Sequence, residues 1–251
     1  MSGFDGLVVV VTGGASGIGL ATALAFLADG ATVAVLDLNP DALPEGVTGF
    51  RADVSNRASV DAAINAVGTQ LGGIDVLINS AGISAVGTVE QNDDAQWARV
   101  LDINVTGIAR TTAAALPWLR QSAHPAVVNL CSIAALTGLP QRALYGASKG
   151  AVLALTYAMA TDHVAEGIRI NCVSPATVAT PFVEQMLLGF EDPPAERAAL
   201  DARQATGRMV TPEEVAGAIL YLADPRSSAT TGIALEVDGG FSHVRVRRSQ
   251  V

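Results

Sequence analysis

Short runs of β-branched residues alternate with longer Ala/Leu-rich segments along almost the whole of this 251-residue chain, and that alternation restricts its fold more than any other feature. LVVVVTG, at residues 7–13, reads as a strand entering a glycine turn. GLATALAFLADG, at 19–30, has helical period and a glycine stop at Gly30. ATVAVLD, at 31–37, is the second strand. The pattern then predicts strands near 49–53, 74–79, 126–132, 168–173 and 233–237, with helices over 56–71, 93–121, 144–166 and 212–222. Strands this apolar are buried on both faces, as in a parallel sheet. The alternation predicts a single α/β domain over 1–251: a doubly wound parallel sheet of about seven strands, flanked by helices and joined by right-handed crossovers.

Two stretches break the rhythm. Asp37 to Asp53 is too short for a full helix and a strand, so the crossover around NPDALPEG is expected to be abbreviated. Residues 180–211 carry Pro181, Pro193 and Pro194 and read as a long irregular excursion, a lid over the carboxyl edge of the sheet. GAVLALTYAMATDHV, at 150–164, is apolar nearly all round. A helix of that kind is covered on both sides: one face meets the sheet, and the other is expected to meet a second subunit, or the helix is wholly internal to the chain.

Half the residues are hydrophobic and 16% are charged, enough for a sizeable core. The longest apolar runs fall far below the roughly 18 residues that span a bilayer. MSGFDG lacks a basic region leading into an apolar one, so no secretion signal and a cytoplasmic location are expected. Cys131 and Cys172 are the only cysteines, which fits a reduced protein. The net charge of −9 excludes nucleic acid and anionic membranes as partners. Arg245, Arg247 and Arg248 form a basic tail, read as a solvated end. His124, His163 and His243 are not in metal-ligand spacing; they read as surface residues, and no metal is expected. Trp97 and Trp118 read as packing residues.

TGGASGIG, at 12–19, follows the first strand and opens the first helix. Glycines allow a tight turn and close backbone approach, and the helix start offers free N–H groups to a pyrophosphate. Gly13, Ser16, Gly17, Ile18 and Gly19 are therefore candidate cofactor contacts in a Rossmann-type fold. Asp37, about 20 residues on at the end of the second strand, is placed as a ribose-binding carboxylate, with Leu38 next to it. A carboxylate accepts from both ribose hydroxyls and repels a 2′-phosphate, so NAD is expected over NADP. The plain alternative is that Asp37 caps the next turn.

With these segments in place, the chain resembles the classical short-chain dehydrogenase/reductase family over nearly its whole length. TGGASGIG matches the glycine motif, Asp53 and Val54 the adenine-side pair, and NSAG (Asn79, Ala81 and Gly82, with Ser80 where Asn is commoner) the motif after the fourth strand. Asn104 in INVTG, Ser132 in CSIAA, and Tyr145 and Lys149 in YGASK match the catalytic set. SPATVATP supplies Pro175, Val178 and Thr180 on the nicotinamide side; Ala176 replaces the usual glycine and is expected to stiffen the turn.

The resemblance implies that Tyr145 takes the substrate hydroxyl proton while carbon gives hydride to NAD⁺, and acts as the acid in reverse. Positions four apart share a helix face, so Tyr145 and Lys149 can point into one cleft, with small residues between them leaving room for the cofactor. A free phenol is a poor base at neutral pH, and a neighbouring ammonium favours the phenolate. Lys149 also holds the nicotinamide ribose, Ser132 steadies the substrate oxygen, and Asn104 organises backbone and water toward Lys149. Cys131 is expected to point away from Ser132. The cleft draws on Ile83 and Ser84, on Leu139, Gln141 and Arg142, and on Phe182, Met186 and Arg203 of the lid. Guanidinium groups clamp carboxylates. With QRALYGASK, Arg142 and Arg203 resemble the subgroup of type 2 3-hydroxybutyrate and 2-keto-3-deoxy sugar acid dehydrogenases, which implies a small hydroxy or sugar acid. Each arginine can equally serve a structural salt bridge. Arg208 is a weaker candidate, and Arg169 reads as structural. A neutral polyol, sugar or other secondary alcohol stays open, as do a 3-oxoacyl-thioester reductase, which Asp37 opposes, and a silent NAD-binding regulator. The family likeness favours a homotetramer, or a dimer.

Overall fold

The structure, a computed structural model, describes residues 3–246. Arg247 and Arg248 of the basic tail lie outside the described residues. One sheet holds seven parallel strands in the order β3-β2-β1-β4-β5-β6-β7. They are β1 (Val8–Thr12), β2 (Thr32–Asp37), β3 (Val47–Arg51), β4 (Val76–Asn79), β5 (Ala126–Leu130), β6 (Arg169–Pro175) and β7 (Ala234–Val237). Strand order reverses between β1 and β4, so the crevice for a ligand opens at their carboxyl ends. Thr12 pairs with Asn79 there, and Asn79 with Asn129 of β5.

Alternate side chains of each strand enter different layers. Val8 and Val10 face α2 (Arg57–Leu71), α4 (Gly107–Leu119) and α5 (Ala143–His163); Val9 and Val11 face α1 (Gly17–Ala28) and α8 (Pro212–Ala223). β1 and β4 are buried throughout, as the β-branched runs predict. Trp118 lies so close to Gly68 of α2 that a Cβ there would sit 2.3 Å from its ring. Arg169 is structural: its guanidinium donates to the carbonyls of Ala223 and Asp224 at 2.8 and 3.1 Å and seals the end of α8.

The structure corrects three details. β3 starts at Val47 because only turns connect β2 to it. The 93–121 helix divides into α3 (Asp94–Leu101), a π-turn (Asp102–Thr106) and α4. The 180–211 excursion is partly helical, containing α6 (Pro181–Leu187) and α7 (Pro193–Asp201). Its prolines begin helices: Thr180 and Asp192 cap the two starts, and proline's missing N–H costs nothing in a first turn. His163 is half-buried, its side chain 17% exposed and paired with Glu166.

Two carboxylates make folding sensitive to acid. The Arg120 guanidinium, then His163, holds Glu166 down to about 2. Arg208, then the Thr211 N–H, holds Glu214 down to about 2 at the start of α8. Their folded values lie below the ordinary 4.5, so the stabilisation is present above that pH and is lost as pH falls toward 2. The thermal midpoint should drop more steeply across that window in the parent than in a Glu166→Gln, Glu214→Gln double variant. Superimposable curves would remove these pairs from the account.

Candidate active site

The glycine loop is shaped by exclusion. A Cβ on Gly19 would lie 2.1 Å from the Gly13 carbonyl oxygen. Gly13 itself has φ +64, and a Cβ there would meet Ala81 Cα at 2.7 Å. No side chain fits either position, so the backbone lies open at the start of α1. Thr12 Oγ1 accepts from the N–H groups of Ser80 and Ala81 at 3.1 and 3.2 Å, tying the loop to the end of β4.

These residues wall one side of a groove of about 400 Å³. Ser16, Gly17, Ile18 and Gly19 line it with Asp37 and Leu38, as do Asp53, Val54, Ala81 and Gly82. Thr180 reaches over the glycine loop with Pro181 and Phe182; a Cβ on Gly17 would lie 3.5 Å from Thr180 Cγ2. Asp37 Oδ2 accepts from Ala15 N–H and Oδ1 from Asn39 N–H, each at 3.1 Å, so the carboxylate does cap its turn while lining the groove. Ser55 grips Asp53 through its hydroxyl and its N–H and holds that carboxyl below the usual range. The cradle and its paired carboxylates fit a nicotinamide dinucleotide.

Pro175, Val178 and Asn79 are not among the residues that line the groove. Pro175 ends β6, and Val178 is buried and bridges to Val210. Asn79 turns its side chain into a buried network: Nδ2 donates to Asn129 at 2.9 Å and Thr112 at 3.2 Å, and Oδ1 accepts from Thr111 at 2.6 Å. Ala176 takes an ordinary negative φ, since Gln141 is the only non-glycine residue with positive φ among those described.

Tyr145 and Lys149 occupy the first turns of α5, with Nζ 5.7 Å from the Tyr145 ring centroid. Lys149 is buried and donates to the Leu130 carbonyl at 2.7 Å. Asn104 lies in the π-turn, 1% exposed. Its Oδ1 accepts from Ile83 N–H at 2.8 Å, and its Nδ2 donates to the Ile83 carbonyl at 2.9 Å and to Ser148 Oγ at 3.1 Å. Ser148 Oγ in turn donates to the Tyr145 carbonyl at 2.8 Å. Ser148 is therefore more than a small spacer. An extra residue in a helix turns one side chain off the regular face, and such turns recur at functional sites. Ser132 follows β5 and accepts from Ala134 N–H at 3.1 Å. Cys131 and Cys172 sit together in the core, with Cys131 Sγ donating to the Lys149 carbonyl at 3.4 Å; the neighbouring thiol and burial push Cys172 up.

The two substrate arginines part company. Arg142 Nη1 donates to Ser84 Oγ at 3.1 Å and the Ala85 carbonyl at 3.0 Å, latching the 83–87 loop to the start of α5. With Leu139 and Gln141 it lines a pocket of about 310 Å³. It has no carboxylate partner among the described residues. Arg203 lines a separate groove with Phe241 and Val244, and the structure does not bring it to Tyr145. Arg208 is bound to Glu214. Sequence reasoning missed Ile103 and Arg99 in the groove wall and Arg110 behind it; Ile103 precedes Asn104 and carries no signal beyond that adjacency.

Residues 13–242 match the family model described as enoyl-(acyl carrier protein) reductase. A relative from Xanthobacter autotrophicus, 2-(S)-hydroxypropyl-CoM dehydrogenase 3, is 38% identical over 247 residues, covering 94% of this chain and 97% of its own. The chain is a classical short-chain dehydrogenase/reductase. This dehydrogenase/reductase is also 38% identical to meso-2,3-butanediol dehydrogenase of Serratia marcescens, over 94% of the chain and 95% of the relative. The ligand-free aldohexose dehydrogenase of Thermoplasma acidophilum superposes with TM-score 0.92 at 32% identity, over 99% of this chain and 98% of that one. The protein is an oxidoreductase acting on CH–OH groups, and its relatives support activity of the secondary-alcohol type.

Proposed function

We propose that this dehydrogenase couples NAD to the oxidation of a small secondary alcohol that carries an acid group. The observation that carries the cofactor choice is Asp37, held between Ala15 and Asn39 in the groove wall. Arg51, its register neighbour on β3, is paired with Asp41 at 3.2 Å. Asp37 would hold the adenosine ribose, Asp53 and Val54 the adenine, Gly13 to Gly19 the pyrophosphate, and Thr180, with Pro175 and Val178, the nicotinamide side. The cofactor, when bound, accepts or returns hydride.

The chain's own groups do the rest. Tyr145 takes the proton from the substrate hydroxyl, and returns it in reduction. Lys149, buried beside the Tyr145 ring, would hold the nicotinamide ribose and support the phenolate. Ser132 steadies the substrate oxygen. Asn104 and Ser148 fix the start of α5 against Ile83, so the phenol keeps its aim. The intact set speaks against a silent NAD-binding regulator.

Arg142 carries the acidic-substrate reading: Nε and Nη2 make no hydrogen bond among the described residues, which leaves one edge of the fork for a carboxylate. A neutral diol or sugar is the second reading, favoured by the occupation of Nη1 by Ser84 and Ala85. Initial rates of NAD⁺ reduction with hydroxy acids, polyols and neutral secondary alcohols separate the two. Arg142→Ala should raise KM for acids about tenfold to a hundredfold, the worth of a hydrogen bond to a charged group, with far less effect on neutral alcohols. Equal effects on both would discard the acid. A homotetramer, or a dimer, is proposed through α5, whose Ala147, Ala154, Tyr157 and Ala158 are exposed, and a cytoplasmic location is proposed with it.

A further inference from the structure

Arg110 takes no part in the chemistry above, yet its side chain is only 19% exposed and joins two parts of the site. Nη1 donates to the Val54 carbonyl at 3.1 Å and to the Asp102 carbonyl at 3.4 Å; Nη2 donates to the Asp102 carboxylate at 2.6 Å. Val54 and Asp53 line the cofactor groove. Asp102 opens the π-turn that carries Asn104. A single guanidinium therefore spans from the groove wall to the segment that presents Asn104.

Each contact answers a local need. The Asp102 carbonyl is bonded by Gly107 N–H, five residues on, and keeps a second lone pair that Arg110 fills. The Val54 carbonyl lies beyond the end of β3, outside the strand ladder, and takes its hydrogen bond from Arg110. α4 presses on the same residue: a Cβ on Gly107 would lie 3.2 Å from Val54 Cβ. Behind the two Ser55 hydrogen bonds, the Arg110 charge also helps keep Asp53 ionised. Three acceptors in two directions need a planar fork, which lysine lacks.

We propose that Arg110 is a positioning residue: with Asp102 it fixes the Asp53–Val54 wall against the π-turn, so that the wall facing the cofactor's adenosine half and the segment presenting Asn104 keep one spacing. The proposal rests on the dinucleotide reading of the groove. Its test is equilibrium titration with NADH and with reduced nicotinamide mononucleotide, which lacks the adenosine half, alongside hydrogen exchange at the Ile83 amide that Asn104 accepts. Arg110→Met should weaken NADH about tenfold and leave the mononucleotide within about twofold, as the loss of one charge-assisted hydrogen bond predicts. Ile83 should exchange faster in the same variant. Arg110→Lys should stay weaker than the parent, and Asp102→Asn, which keeps an acceptor, should repeat the pattern in smaller measure and serves if Arg110→Met does not fold. Unchanged NADH affinity and unchanged Ile83 exchange in folded variants would overturn the proposal. So would an equal loss for NADH and the mononucleotide, the mark of general destabilisation. A parent that binds no NADH would instead overturn the dinucleotide reading, before any variant is compared.

Discussion

Replacing Tyr145 by phenylalanine is expected to cut turnover by about 10³-fold or more, the upper part of the range for a positioned acid–base group, while NADH affinity stays within about twofold. The separation follows from what the hydroxyl does and does not hold. Ser148 bonds the main-chain carbonyl of Tyr145, so the link to Asn104 survives the change. The ring that Lys149 approaches at 5.7 Å is also retained, and Lys149 keeps its bond to the Leu130 carbonyl. The substitution removes a proton acceptor and little else. A Lys149→Met variant should differ by losing turnover and cofactor affinity together. Activity in Tyr145→Phe near that of the parent would defeat the assigned mechanism, and a matching loss of NADH binding would show that the hydroxyl is structural.

A second large effect concerns the cofactor. The parent is expected to prefer NAD⁺ over NADP⁺ by roughly a hundredfold in kcat/KM, since a carboxylate facing a phosphate costs several kcal/mol in a partly desolvated site. Asp37→Ser should erase most of that preference. It should do so largely by improving NADP⁺, because the hydroxyl no longer repels the 2′-phosphate. Asp37 also accepts from Ala15 and Asn39, so some loss with NAD⁺ is expected as the turn loosens. Equal rates with both cofactors in the parent would refute the role given to Asp37.

The fold was legible because its signal is periodic and buried. VVVVT and VLIN are apolar at every position and are fully covered in the sheet. The glycine loop was legible because Gly13 and Gly19 have no substitute, the first for its positive φ and the close approach of Ala81, the second for the nearness of the Gly13 carbonyl. The π-turn was not legible. DINVT continues the helical pattern of its neighbours, and the extra residue is set by what Asn104, Arg110 and Gly107 touch, all distant in sequence. The lid misled for a different reason: proline was read as a breaker, where Pro181 and Pro193 stand at helix starts. Arg142 and Arg203 looked alike in sequence. Only the packing of the 83–87 loop on one, and of Phe241 and Val244 around the other, tells them apart.

On the proposed function, hydride passes from a secondary carbinol carbon to a nicotinamide dinucleotide under the control of Tyr145. Incubation with NAD⁺ and a hydroxy acid or diol deuterated at that carbon tests it most directly. The account predicts that the reduced dinucleotide carries the deuterium and that Tyr145→Phe forms almost none. Reduced dinucleotide free of deuterium, or deuterium transfer undiminished in Tyr145→Phe, would contradict it.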